Sequence, residues 1–165
     1  MRSVPSLLSM IDEPKAPAPT VLPWDYIRMR REAAGLSIEQ AARPYWHRPE
    51  HREDVERNFR TLEQPGYRAA RNRFGGDKSR SYRVSEAIYR QLCDGPPEQH
   101  PRLCLACGWD EWSAQLDIEG FDCTWSDADP QICTLCEQLR RPLFKPRLPK
   151  FHPTHTTHGG HQIAA

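Results

Sequence analysis

The chain has 165 residues, of which 38% are hydrophobic, and a formal net charge of +1. That length allows one ordinary domain or two small ones, and a mean hydropathy of −0.79 predicts a small apolar core. No stretch approaches the roughly 18–20 apolar residues that a membrane-spanning helix needs, and no signal-peptide core is visible. The sequence therefore predicts a soluble, cytoplasmic protein with reduced thiols and no membrane partner.

The two ends of the chain have an unusual composition. The sequence contains sixteen prolines, and they cluster in the arm 1–23 and in the tail 141–165. Both ends are predicted to be disordered or extended. The tail also carries histidines at intervals of three, namely His152, His155, His158 and His161. Imidazoles at this spacing collect metal ions weakly, and without a fold to fix them they predict no specific site.

Charge is distributed unevenly between the two halves of the chain. Residues 24–90 hold 15 Lys and Arg against 10 Asp and Glu, whereas residues 101–139 hold one Arg against eight acidic residues. The basic front half predicts an anionic partner, and the acidic rear half is poorly suited to binding phosphates.

Three helices are predicted in the front half. The first covers 24–34 and stops at Gly35. Ser37 starts the second, and Gln40 three residues later completes a capping box. The third covers about 50–64, where one apolar stripe recurs at helical spacing.

The third helix has two interpretations. Glu53 and Glu56 stand four residues before Arg57 and Arg60, a spacing that gives ordinary ion pairs on a solvated helix. The same arginines, in a locally basic region, equally favour a helix that contacts DNA.

The motifs of this region resemble a known family. The stretch 27–37 and the stretch 60–66 resemble the opening and the end of helix-turn-helix regulators of the phage-repressor (Cro/C1) type. The resemblance implies that helix 37–42 crosses the DNA backbone and that helix 52–62 is the recognition helix in the major groove. The chain departs from the family at Arg30, Ile38 and Ala41, and in a long link that contains two prolines.

A basic loop follows over residues 66–83, with aromatic residues between its arginines. Its cations could contact phosphates without reading sequence, or the loop could be a surface feature whose aromatic residues fold back onto the core. The candidate DNA-binding residues of the helices and this loop are Ser37, Arg52, Arg57, Arg60, Arg68, Arg71, Arg73, Lys78 and Arg80. A fourth helix, capped by Ser85, is predicted over 86–93, with Cys93 as a buried thiol.

The strongest motif consists of two Cys-x-x-Cys pairs. Cys104 and Cys107 are separated by 25 residues from Cys133 and Cys136, and Gly108 suits a turn with positive φ. Four thiolates at this spacing predict a closed, tetrahedral structural Zn²⁺ site. The alternatives are two disulfides or buried thiols without a metal.

Several large apolar residues lie between the two pairs. They predict a small aromatic core against the metal, with short extended segments around 115–118 and 121–125. The residues of this predicted core are Trp109, Trp112, Leu116, Ile118, Phe121 and Trp125.

The whole stretch 84–136 resembles a small cysteine-rich domain of bacterial prophage proteins. The residues that carry the resemblance are 100–108, 122–125 and 132–136. In that family further cysteines occur near Trp109 and Gln115, which leaves Cys123 here without a companion. Cys123 is then either a metal ligand that replaces one of the four or a neighbouring thiol.

The sequence as a whole predicts an α+β protein with four regions. These are an arm 1–23, a helix-turn-helix-like basic region 24–83, a capping helix with a zinc-ribbon-like domain 84–140, and a tail 141–165. No phosphate-binding glycine loop and no nucleophile–histidine pair is present, and a closed four-thiolate site leaves no position for an activated water, so no enzyme is predicted.

Two functions are consistent with these features. The first is a DNA-binding transcriptional regulator of phage or prophage type that binds double-stranded DNA, with a homodimer as one mode of binding two half-sites. The alternative is an adaptor whose acidic, tryptophan-rich zinc module binds another protein.

Overall fold

A computed structural model describes residues 19–70 and 80–147. Within these ranges the secondary structure consists of five α-helices: α1 (Pro23–Ala33), α2 (Ile38–Ala42), α3 (Arg52–Leu62), α4 (Glu86–Asp94) and α5 (Thr134–Gln138). Short 3₁₀ turns cover Arg43–Tyr45, Pro49–His51 and Pro97–Gln99. None of the helices in the described ranges has both the length and the apolar character needed to cross a membrane.

The described part of the chain is helical with very little strand. Its β structure is limited to two isolated antiparallel bridges, Leu116 with Asp122 and Trp125 with Cys133. The predicted α+β class is therefore not confirmed. The predicted extended segments contribute bridge residues only, because turns rather than strand ladders satisfy most of the backbone around the cysteines.

The helix starts follow local chemistry. At α2 the Ser37 hydroxyl accepts the Gln40 N–H at 3.2 Å while the Gln40 side chain accepts the Ser37 N–H at 2.8 Å, which confirms the capping box. Ser85 caps α4 in the predicted way and accepts the Ile88 N–H at 3.3 Å. α3 starts later than predicted, at Arg52, because a proline-led 3₁₀ turn precedes it.

One main core lies between the helices. α1 packs against α4, and α2 packs against α3. Both the N-terminal helices and the first cysteine loop contribute buried apolar residues to this core, among them Tyr26, Ile27, Met29, Phe59, Leu62, Ile88, Tyr89, Leu92, Leu103 and Leu105. Helix α4 thus shares its core with the front-half helices.

A buried ion pair fixes α1 relative to the end of α3. The Arg31 guanidinium donates to both Glu63 carboxylate oxygens, at 2.6 and 2.9 Å, and a third nitrogen donates to the Leu36 carbonyl at 2.6 Å. The paired Glu63 side chain raises the pKa of Arg31. A guanidinium and a carboxylate joined by two parallel hydrogen bonds have a fixed relative orientation, so this pair helps to set the orientation of α3 relative to α1.

The sequence predicted the tail 141–165 to be disordered or extended, and its first part, 141–147, is an ordered segment without helix or strand that is bonded to α1. Arg141 donates to the Ala33 carbonyl at 2.9 Å, the Phe144 N–H donates to Leu105 at 2.7 Å, and Arg28 donates to the Lys145 carbonyl at 2.7 Å. These bonds order the segment because they satisfy its backbone on the folded surface. The predicted arm through residue 18 and the rest of the tail, with its four histidines, lie outside the described residues.

Candidate metal centre

Two backbone turns and one helix start position the four paired cysteines. Cys104 and Cys107 flank a tight turn in which the Gly108 N–H donates to the Cys104 carbonyl at 2.8 Å, and Gly108 has φ +69° as its position predicted. Cys133 immediately precedes α5 and Cys136 lies within its first turn. The bridge between Trp125 and Cys133 brings α5 back toward the first turn.

The four thiols converge on one point. Their sulfur atoms all lie within 4.8 Å of one another, and all four residues are fully or almost fully buried. The Cys107 and Cys133 sulfurs are 3.8 Å apart. A tetrahedral ion with metal–sulfur bonds of about 2.3 Å requires sulfur–sulfur edges of about 3.8 Å, so the donor set fits such an ion. All six cysteines of the chain are free thiols, which rules out the disulfide alternative for this conformation.

Without a cation, the four thiols cannot all ionise. Hydrogen bonds from Cys107 and the other two thiols lower the pKa of Cys104. The hydrogen bond with Cys104 raises the pKa of Cys133, and the same partner raises that of Cys136. The negative charge of one thiolate opposes the ionisation of the neighbouring thiols. A bound divalent cation would offset this repulsion and stabilise several thiolates together.

Cys123 is buried beside the cluster but is not one of its four converging sulfurs. Its sulfur accepts from the Gln115 amide and from the Thr134 hydroxyl, both at 3.5 Å. The same Gln115 amide lies 3.6 Å from the Cys133 sulfur. Cys123 is therefore the neighbouring thiol of the two alternatives. The sequence indicated Gln115 only as a position near which the cysteine-rich family has a further cysteine, and not as a hydrogen-bond partner of the thiols.

Helix α1 receives the first cysteine turn. The Arg30 side chain donates to the Cys107 carbonyl at 3.3 Å and to the Arg83 carbonyl at 3.0 Å. A Cβ atom at Gly108 would lie 3.2 Å from both Arg30 and Tyr26. Arg30, one of the positions at which the sequence departs from the helix-turn-helix pattern, is thus a contact between α1 and the first cysteine turn. Its departure from the pattern was the only indication of this contact in the sequence.

The predicted aromatic core around the metal is only partly present. Trp109 is buried, and its ring lies 5.3 Å from that of the partly buried Trp125. The other four members of the predicted core are exposed: Trp112, Leu116, Ile118 and Phe121. The prediction was wrong for these four because Trp109 and Trp125, whose rings are tilted by 58° to each other, already pack on the small cysteine cluster, and the segment 112–122 lies outside it.

The structure places the candidate DNA-binding residues on the front half but engages most of them internally. Ser37 is used as a helix cap. Arg57 pairs with Asp54 at 2.8 Å, and not with Glu53 as its spacing predicted. Glu56 accepts from Arg52 at 2.7 Å and from Arg60 at 2.9 Å.

The basic loop is described only at its two ends. Arg68 pairs with Asp94 at 2.8 Å, and Arg80 is exposed. Tyr82 is buried in the main core and Tyr67 packs against it, which agrees with the alternative in which aromatic residues fold back. Arg71, Arg73 and Lys78 lie outside the described residues.

Cys93 on α4 was predicted to be a buried thiol, and in the structure it is half-buried. It takes no part in the four-thiol cluster.

No family model matches the chain, and no curated protein and no solved structure matches it.

Proposed function

We propose that this chain is a DNA-binding transcriptional regulator whose rear half is held by a structural zinc ion. Cys104, Cys107, Cys133 and Cys136 would hold the ion, and zinc is the metal that best suits four soft thiolates in a tetrahedron. The burial of all four leaves no open coordination position, which supports a structural role and not a catalytic one. The assignment to a phage-type protein with a zinc ribbon rests on the resemblance of the sequence alone.

One observation carries the DNA-binding proposal: α3 presents exposed arginines from a fixed position. The side chains of Arg52, Arg57 and Arg60 are between 49% and 68% exposed. The apolar side of α3, with Phe59 and Leu62, is buried. Helix α2 packs against α3, and the buried pair of Arg31 with Glu63 holds the chain just beyond its end. A short helix packed on a longer, outward-facing one is the arrangement that places a recognition helix in the major groove.

The ion pairs on α3 are compatible with this role. The pairs of Arg57 with Asp54 and of Arg60 with Glu39 lie at the surface, where such pairs contribute little to stability and exchange readily for other anions. Phosphates could therefore replace Asp54 and Glu39 as partners of Arg57 and Arg60.

Fluorescence anisotropy of zinc-loaded protein on random-sequence duplex DNA tests the proposal. We expect binding that weakens steeply from low to physiological salt. Replacing both Arg57 and Arg60 by Gln should weaken binding and reduce the salt slope by about 2, since each lost phosphate contact removes about 0.9. The matched control is the double substitution of the exposed acids Glu111 and Glu119 by Gln, which should leave the slope unchanged. An absence of binding at low salt would contradict the proposal.

A second candidate function is an adaptor that binds another protein through its acidic zinc module. The specific observation in its favour is the exposure of four large apolar side chains between the two cysteine pairs. The adaptor function is compatible with DNA binding, because the exposed arginines of α3 and these apolar side chains belong to different parts of the chain.

A further inference from the structure

The hairpin 112–122 displays an unusual amount of apolar surface. Trp112 is 85% exposed, Phe121 67%, Ile118 61% and Leu116 57%. Single exposed apolar residues are normal, but four within one short segment of a predominantly polar module are not. Their exposure costs solvation free energy that burial against another surface would recover.

Hydrogen bonds within the hairpin and to α5 define its conformation, so this exposure belongs to an ordered turn. The Asp117 carboxylate accepts the N–H groups of Glu119 and Phe121 at 2.9 and 3.0 Å, and the Asp117 N–H donates to the Phe121 carbonyl at 2.9 Å. The Gln138 side chain on α5 accepts the Ile118 N–H at 3.0 Å and donates to Asp117 at 3.2 Å. The turn is thereby fixed to the helix that carries Cys136, and a preorganised surface loses little entropy on binding.

The hairpin itself carries only negative charge. Glu119 and Asp122 are exposed on it, and Glu111 is exposed immediately before it. Arg102 is the one basic residue of 101–139. Its guanidinium contacts the Trp125 ring at 3.7 Å and donates to the Pro130 carbonyl, and neither residue belongs to the hairpin. Arg83 and Arg30 are neighbouring cations, since both line a cavity with Ala114 and Leu116, and Arg83 donates to the Ala114 carbonyl at 2.9 Å. Such a surface repels nucleic acid and anionic lipid and attracts basic groups.

We propose that the hairpin 112–122 is a docking site for a basic segment of another protein that carries apolar side chains among its lysines and arginines. Trp112, Ile118 and Phe121 supply the apolar anchors, since large aromatic side chains are the usual centres of binding energy. Glu111, Glu119 and Asp122 form the acidic rim that selects the sign of the partner. This inference develops the adaptor function and does not depend on DNA binding.

A random peptide library displayed on phage, selected on the full-length zinc-loaded protein in physiological salt, tests the proposal without a known partner. We expect the retained peptides to combine Lys or Arg with Trp, Phe or Leu. Synthetic peptides made from them should bind about ten-fold or more weakly to the double variant W112S/F121S, as expected for the loss of two anchors. The double variant E111Q/E119Q should also bind them more weakly. L143S, which removes an exposed leucine outside the hairpin, should bind like the unsubstituted protein.

Two controls keep the outcomes separable. W112S/F121S should retain its zinc and its helical circular dichroism, because both residues are exposed, and it should bind duplex DNA as the unsubstituted protein does. Peptides without net positive charge, or peptides that W112S/F121S retains equally well, would overturn the docking site while leaving DNA binding untouched. A homodimer in sedimentation that W112S/F121S dissociates would also overturn it, since the occupant would then be a second copy of the chain.

Discussion

Two buried tyrosines of the main core differ in the hydrogen-bond partner of the hydroxyl. The Tyr89 oxygen accepts the Ala69 N–H at 2.8 Å, and burial raises the pKa of Tyr89 to about 12. The Tyr82 hydroxyl is also buried, but among the described residues it has no hydrogen-bond partner, and burial raises its pKa as well. The two positions therefore separate the contribution of a hydrogen bond from that of burial.

Substituting each tyrosine by phenylalanine should give opposite results. Tyr89→Phe leaves the buried Ala69 N–H unpaired and should cost about 1–3 kcal/mol of unfolding free energy. Tyr82→Phe removes an unpaired hydroxyl and should be neutral or stabilising. Urea unfolding followed by circular dichroism measures both changes, and equal losses in the two variants would contradict the assignment.

Glu56 on α3 should contribute a pH-dependent part of the stability. Hydrogen bonds from Arg52, and then from Arg60, hold the pKa of its carboxyl below the ordinary value of 4.5. Because the folded-state pKa is lowered, this contribution is present above 4.5 and is lost as the pH falls through the lowered folded value.

Glu56→Gln should therefore lower the melting temperature at neutral pH and flatten its fall on acidification below pH 4.5. Thermal unfolding of both proteins across that range is the measurement. Glu53→Gln is the matched control on the same helix, and it should change little because the Glu53 side chain has no ion pair among the described contacts of α3. If the melting temperatures of the Glu56 variant and the unsubstituted protein fell in parallel below pH 4.5, Arg52 and Arg60 would not stabilise the ionised Glu56 carboxylate.

At the scale of elements, the turn after Cys107 docks on α1 through a position at which a side chain would be crowded. Gly108 and Gly66 both have positive φ, +69° and +85°. A Cβ at Gly108 would meet Tyr26 and Arg30, whereas a Cβ at Gly66 would meet nothing within 4 Å.

Gly66→Ala should cost only the backbone strain of a left-handed residue, about 1–2 kcal/mol. Gly108→Ala should cost more, since the first cysteine turn must also move away from α1. Chemical unfolding of the two variants under zinc-saturating conditions compares these losses. A smaller loss at Gly108 than at Gly66 would mean that the docking contact is absent.

Elements that depend on neighbouring residues could be predicted from the sequence, and those that depend on distant ones could not. The Ser37 capping box and the turn of each Cys-x-x-Cys pair are local patterns, and both form. The contact of Arg30 with Cys107 joins residues 77 positions apart, so the sequence showed only an arginine where an apolar residue was expected. The exposure of Trp112 depends on how much apolar surface Trp109 and Trp125 already cover, and periodicity carries no information on that.

At the scale of the whole molecule, α1 is the element on which the other parts meet. Arg31 binds Glu63 at the end of α3, Arg30 binds the first cysteine turn, and Arg141 from the C-terminal segment binds Ala33. The acidic half has α5 as its one α-helix among the described residues, and its four thiols and its contacts with α1 position it. In a protein with a small apolar core, a bound zinc ion would supply a large part of the folding free energy, since structural zinc contributes about 10–16 kcal/mol in small domains.

The central claim is that a zinc ion bound by four thiolates holds the acidic half against α1. The most direct measurement is the zinc content of the full chain, purified under reducing conditions, followed together with its helical circular dichroism as a chelator is titrated in. We predict one zinc per chain, a helical signal that falls as the metal leaves, and recovery on adding zinc back. A protein that contains no stoichiometric zinc, or that keeps its full helical signal after the metal is removed, would contradict the claim.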